Sequence, residues 1–133
     1  HNFKCDVTAA KIVLESNIAI TILDLPSSQK TIMKKEEIEQ IKSSGKLGPI
    51  LYTEILNWIQ PRNQDWTTPH DPIAVLAMLL PELFSFSEKG SVKIDENGFS
   101  EWRLSRDGNV KKTSPSLPSG AVTAMISLIA KVD

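Results

Sequence analysis

An imidazole and a carboxylate stand side by side at His70-Asp71, inside the stretch Thr67-Thr68-Pro69-His70-Asp71-Pro72. An imidazole can pass a proton near neutral pH, and a carboxylate can hold a hard cation or orient a hydroxyl. The pair lies where a polar loop meets the apolar run Ile73-Ala74-Val75-Leu76-Ala77-Met78-Leu79-Leu80. Pro72 suits the first turn of a helix, because its missing N–H has no partner there in any case. Asp71 is then expected at the N-cap, with its carboxylate at the positive end of the helix dipole. The run that follows has no polar face, so the helix is expected to be buried. A plainer reading also fits these residues: Asp71 as a helix cap and His70 as an ordinary loop residue.

The elements that would position this pair can be read in order. Residues 1–5 alternate and suggest the end of a strand. Asp6 should cap a helix over 7–15, with Ala9, Ala10, Val13 and Leu14 on its inner side. Residues 18–25 are nearly all apolar and rich in β-branched types, which predicts a strand buried on both faces and stopped by Pro26-Ser27-Ser28. A helix over 34–43 turns Ile38 and Ile41 inward, its charged residues form a solvated face, and Gly45 suits its end. Pro49 starts a helix to Ile59 with Ile50, Leu51, Ile55, Leu56 and Ile59 at core spacing, and Tyr52 and Trp58 on its flanks as packing aromatics.

Residues 61–69 form a polar loop long enough to act as a lid, and Trp66 sits in it without apolar neighbours. Beyond the apolar helix the period changes to two. Residues 91–95 and 99–104 read as strands joined at Asn97-Gly98, and Asp107-Gly108 turns into a short strand over 109–112. Residues 114–119 read as a linker. A terminal amphipathic helix follows, with Val122, Met125, Ile126 and Ile129 on one side. Helix followed by buried strand is half of an α/β unit.

Composition narrows the function. The 133 residues are one domain's worth, 41% hydrophobic and 23% charged. Fifteen basic and sixteen acidic residues leave a net charge of −1, with no basic stripe to recommend nucleic acid and no polybasic helix for a membrane surface. The longest apolar run is far too short to span a bilayer. Cys5 is the single cysteine, which excludes an internal disulfide framework and a cysteine-based zinc cage and suits a reducing, cytoplasmic setting. The chain begins at His1 rather than Met, as expected of a piece of something longer. There is no Gly-rich phosphate loop and no Gly-x-Ser-x-Gly elbow. The two histidines, His1 and His70, are too far apart in sequence for a metal motif within one element.

The opening Asn2-Phe3-Lys4-Cys5-Asp6-Val7-Thr8-Ala9-Ala10 resembles the Asn-x-x-x-Asp-x-x-Ala-Ala stretch of the inosine-uridine preferring nucleoside hydrolases. Leu23-Asp24-Leu25 resembles the end of the buried strand that follows it there. The later order also matches: two helices, a polar loop, His-Asp-Pro, an apolar helix, a β-hairpin region and a terminal helix. The resemblance implies an α/β fold, part of an open mixed-sheet, Rossmann-like nucleoside hydrolase architecture. It makes residues 1–133 the carboxyl-terminal portion of a single such domain.

Particular roles follow from the resemblance. Asp71 matches a residue that binds a calcium ion (Ca2+) and the ribose hydroxyls. His70 matches one that protonates the leaving base, and Asn2 one that hydrogen-bonds the ribose; Trp66 falls in the lid on which base selectivity rests. The implied activity is hydrolysis of the N-glycosidic bond of ribonucleosides, the chemistry of purine and pyrimidine salvage. Its partners are a small-molecule ribonucleoside and the amino-terminal half of the domain, with room for a homo-oligomer. The family's aspartate-rich motif, which supplies most calcium ligands and the general base, has no counterpart here. Pro26-Ser27-Ser28-Gln29 stands where many relatives carry Thr-His. Two expectations from different classes result. One is part of a nucleoside N-ribohydrolase, with an active site incomplete on these residues alone; the other is a non-catalytic α/β interaction or assembly module.

Overall fold

Asp6 leaves helical geometry, with φ −152°, so that its Oδ1 can accept from the Ala9 N–H at 2.8 Å. That bond starts the helix Val7–Leu14 as its sequence predicts. The computed structural model describes residues 1–114 and 120–132, so the linker expected at 114–119 lies outside the described residues except for Ser114. In chain order the elements are α1 (Asn2–Cys5), α2 (Val7–Leu14), β1 (Ile20–Ile22), α3 (Leu25–Ser28), α4 (Lys35–Lys42) and α5 (Gly48–Ile59). Then come α6 (His70–Leu79), β2 (Gly90–Ile94), β3 (Ser100–Leu104), β4 (Val110–Lys112) and α7 (Ala121–Ile129). They fall into two units: His1–Leu23 with Phe86–Thr113, and Asp24–Ser85 with Ser114–Asp133. Among the described residues no helix is long and apolar enough to cross a membrane.

The first unit holds an open, mixed four-stranded sheet in the order β1-β4-β2-β3. β1 runs parallel to β4, pairing Ile20 with Val110, while β2 is antiparallel to both β4 and β3. The β2–β3 hairpin turns at Asn97-Gly98, where Gly98 takes φ +78° and Asp95 Oδ1 accepts from the N–H groups of Asn97 and Phe99. Leu14, Ile94 and Val110 are the buried centre of this unit. Of the four residues expected on the inner side of α2, Leu14 is buried and Ala10 half-buried, while Ala9 and Val13 face solvent.

Two expectations for this unit are corrected. Residues 1–5 are not a strand. Asn2–Cys5 is one helical turn in which the Lys4 and Cys5 N–H groups reach the His1 carbonyl at 2.9 and 3.3 Å. The strand expected over 18–25 keeps only Ile20–Ile22, and it is half-buried at the sheet edge rather than covered on both faces. Ile18 is 68% exposed. The strand ends early because Asp24 serves as a cap: its Oδ1 accepts from the Ser27 N–H at 2.9 Å and, with Pro26, starts α3 inside the apolar run.

Gly90 and Gly108 allow a close backbone approach. A Cβ on Gly108 would lie 2.0 Å from the Gly90 carbonyl oxygen. Backbone, unlike a flexible side chain, cannot swing aside. Gly108→Ala is therefore expected to lower stability by about 1–3 kcal/mol. A urea-unfolding midpoint equal to that of the wild type would show that the turn yields freely.

The second unit is helical. Met33, Ile38, Ile41, Ile59, Val122, Met125 and Ile126 form its core, with Tyr52, Ile55, Leu56 and Ile129 packed at the edge. The inward faces of α4 and α7 are those the sequence predicts. At the start of α4 the Glu37 carboxylate accepts the Lys34 N–H at 2.7 Å. α5 differs in part, since Ile50 and Leu51 are exposed although their spacing suggests core. Tyr52 donates to the Glu39 carboxylate at 2.8 Å, and this hydrogen bond raises the phenol's pKa above its ordinary value.

α6 is buried on one stripe only. Ile73, Leu76 and Ala77 are covered, in the i, i+3, i+4 pattern that meets α3 and α7. Val75, Met78 and Leu79 are exposed, Met78 by 72%. A helix without a polar face is expected to be covered all round, and here one side finds no partner among the described residues.

Candidate active site

The polar loop that leads to His70 is tied down before it arrives. Met33 and Thr67 form an isolated antiparallel bridge, with N–H to carbonyl distances of 2.8 and 3.0 Å in the two directions. The loop's start is also ordered: Gln60–Arg62 is a 3-10 turn closed by Asn63 in the left-handed region, at φ 53°. Arg62 lies over the Trp58 ring, 3.5 Å from its centroid, and donates to the Trp58 carbonyl. Trp58 is 57% exposed, so Arg62 covers part of its ring and the core does not enclose it.

α6 begins two residues earlier than expected. Pro69 is its N-cap, His70 its first residue, and Asp71 lies within the first turn. Asp71 is therefore not the cap, and its carboxylate accepts no hydrogen bond from any described residue. The local cause is Pro69, which carries the chain into helix while Pro72 still falls in the first turn. An exposed, unpaired carboxylate over a helix N-terminus is electrostatically favoured there and free to bind something else.

His70 has a specific partner. Its Nδ1 lies 2.8 Å from Ser28 Oγ, and Ser28 Oγ also lies 3.2 Å from the Leu25 carbonyl, to which it donates. Ser28 is 3% exposed and ends α3, the turn that Asp24 and Pro26 create. The ring's Nε2 has no partner among the described residues.

His70 and Asp71 open onto a cleft of about 880 Å³ within the second unit. Its walls are apolar, built from residues such as Met33, Leu51, Trp58, Leu79, Met125 and Leu128. Its polar edge is Thr67 to Pro72, joined by Glu54 from α5. This is how a small-molecule site is commonly made, with apolar walls and a few polar groups that fix orientation. Leu51, Val75 and Leu79, misplaced by a simple core reading, are walls of this cleft, and Met78 is not among them.

Trp66 is not among the residues that line this cleft. Trp66, 40% exposed, lines a separate hollow of about 390 Å³ with Ile32, Lys34, Lys35, Glu36 and Asp65. Asn2 belongs to the first unit, exposed in α1, with no side-chain hydrogen bond to a described residue. Glu54 is not among the sequence candidates, and Ser28 figures there only within Pro26-Ser27-Ser28-Gln29, where relatives carry Thr-His. Ser28 meets its histidine across 42 positions, a pairing that no local pattern signals.

Calcium takes six to eight oxygens. Among the described residues no three His, Cys, Asp or Glu side chains converge as a metal cluster. The residues present do not make a calcium cage, and Asp71 suits a single ligand position.

A family model described as inosine-uridine preferring nucleoside hydrolase matches residues 1–118. The pyrimidine-specific ribonucleoside hydrolase RihA of Citrobacter koseri is 28% identical over 94 residues, covering 66% of this chain and 30% of that protein. RihA of Salmonella newport matches to the same extent. Among solved structures, the plant nucleoside hydrolase PpNRh1 superposes with a TM-score of 0.80 at 16% identity, over 99% of this chain and 47% of that one. The purine-preferring ribonucleoside hydrolase from Gardnerella vaginalis gives 0.70 at 20% identity, over 96% of this chain and 45% of that one. The two structures show a shared fold. The chain spans about 30% of the length of these curated relatives and under half of the solved structures.

Proposed function

Since this chain belongs to the inosine-uridine preferring nucleoside hydrolase family, we propose that it contributes a proton donor and one ligand-binding carboxylate to a nucleoside N-ribohydrolase. In this reading residues 1–133 are the carboxyl-terminal portion of one hydrolase domain, working in a cytoplasmic setting. The observation that carries it is His70-Asp71 at the polar edge of an apolar cleft, with one ring nitrogen of His70 anchored and the other unpartnered.

Breaking a ribonucleoside's N-glycosidic bond sends the bonding electron pair to the base and leaves positive charge on the sugar. His70 gives a proton to the departing base, which neutralises the charge developing there. A water oxygen then bonds to the sugar carbon and gives up its proton to a base that the complete enzyme supplies. Asp71 binds the ribose and would be one ligand of a calcium ion, which when bound would supply positive charge to orient the ribose hydroxyls and the attacking water. Asn2 hydrogen-bonds the ribose, and Trp66 belongs to the loop that selects the nucleobase. The apolar cleft wall suits the flat faces of a base.

The test is ribose release from inosine and uridine by the complete enzyme, with calcium affinity measured alongside. Asp71→Ala should weaken calcium binding and raise KM for the nucleoside together, because one carboxylate serves both. It should change folding stability by no more than about 0.3–1 kcal/mol, the worth of a charge near a helix end, since Asp71 makes no capping bond. Unchanged calcium affinity would remove Asp71 from the metal. A complete enzyme that releases no ribose from either nucleoside would end the hydrolase reading.

A further inference from the structure

We propose that Ser28 is a positioning residue for His70: its hydroxyl, tied to the Leu25 carbonyl, holds the neutral imidazole as the Nδ1–H tautomer and leaves Nε2 as the atom that exchanges the proton. The argument begins with counting hydrogens. Ser28 Oγ has one proton and two close neighbours, the Leu25 carbonyl at 3.2 Å and His70 Nδ1 at 2.8 Å. A carbonyl can only accept. If the hydroxyl gave its proton to Nδ1, the contact with Leu25 would join two acceptors and be no bond at all. If Nδ1–H donates to Ser28 Oγ and Oγ–H donates to Leu25, both contacts are hydrogen bonds and each polarises the other. The Leu25 carbonyl also accepts the Gln29 N–H at 3.0 Å, so what favours this arrangement is the number of bonds made: both contacts of the buried Ser28 hydroxyl become hydrogen bonds instead of one.

The tautomer of a histidine is set by the bond its other nitrogen makes. With Nδ1–H committed to Ser28, only Nε2 gains and loses a proton. The protonated ring carries Nε2–H as the acid. After transfer to the base it is left as the neutral Nδ1–H form, with no proton needing to move through the protein. Ser28 remains bonded to the ring in both forms. The position is built for this: Asp24 and Pro26 start α3, which ends at Ser28, and α3 packs on the helix that begins with His70.

The proposal deepens the reading of His70 as proton donor and rests on it for its purpose, but its test uses no substrate. Long-range proton–nitrogen NMR of the 15N-labelled chain reports which ring nitrogen bears the proton, and a His1→Gln variant separates the signals of the two histidines. An unrestrained neutral histidine favours Nε2–H. The wild type, at a pH where the ring is neutral, is expected to show Nδ1–H as the major form at His70. Ser28→Ala should invert that preference, and Ser28→Thr, which keeps the hydroxyl, should retain it. A wild-type His70 that is mainly Nε2–H would overturn the proposal without any variant being needed, as would a Ser28→Ala spectrum with Nδ1–H still dominant. Failure here leaves His70 in place as the donor; failure of the activity comparison argued for His70 leaves the Ser28 hydrogen bond intact.

Discussion

A preparation holding only these 133 residues is expected to release no ribose from inosine or uridine, with or without calcium. The site accounts for why. Hydrolysis of an N-glycosidic bond needs a donor for the base, a group to activate water and a counter-charge for the sugar. The cleft offers His70 for the first and Asp71 with Glu54 as carboxylates on its edge, and no three potential metal ligands converge among the described residues. One histidine acting alone as an acid contributes about 10²–10⁴-fold. Enzymes commonly reach about 10⁶-fold or more. The expected loss, relative to a complete hydrolase, is therefore most of the rate. The assay is a reducing-sugar measurement on the chain shown by mass to be free of other hydrolases. Turnover above the no-protein control would sink the claim and would mean that these residues hold a base that their arrangement does not reveal. If the complete enzyme were also silent, the assembly-module alternative would gain, and the exposed row Val75, Met78 and Leu79 would become its natural contact face.

What was legible in the sequence was local. Asp6 three residues before Ala9, Asn97-Gly98 between alternating runs, and Ile38 with Ile41 among charges each carry their structural instruction within a few positions. The family resemblance was legible for the same reason, being carried by short motifs in order. The misreadings arose where two local signals compete or where distant chain decides. Residues 18–25 look like one buried strand because β-branched types dominate, but the Asp24 carboxylate ends it by capping the next turn. α6 looks buried all round because its composition says so, yet burial depends on how many neighbours arrive, and only one stripe of it meets them. Asp71 looks like a cap because Pro72 follows it, while Pro69 moves the start of the helix back by two positions from the expected Asp71 cap. Ser28 was marked only as part of Pro26-Ser27-Ser28-Gln29, the stretch that departs from the relatives' Thr-His. A serine after a proline reads as the end of a strand, and its importance is visible only once His70 is beside it.

Replacing His70 by alanine in the complete enzyme should slow hydrolysis of inosine by about 10²–10⁴-fold and leave a nitrophenyl riboside nearly untouched. The difference lies in the leaving groups. Hypoxanthine departs with negative charge on nitrogen that must be neutralised, so a proton delivered during bond breaking lowers the barrier. Nitrophenolate is a stable anion and leaves without one. A residue that acts only as a donor therefore matters in proportion to the need for the proton. Because the transfer belongs to the transition state, kcat for inosine should carry the loss and KM should change little. The structure makes the comparison fair. His70 is the first residue of α6 and its ring touches Ser28, so its removal takes one hydrogen bond from the edge of the unit without opening the core around Ile73 and Leu76. An ordinary surface histidine would slow both substrates alike, through a general disturbance, or neither. Side-by-side rates for the two substrates on wild type and His70→Ala decide between these, and equal losses would take His70 out of the mechanism.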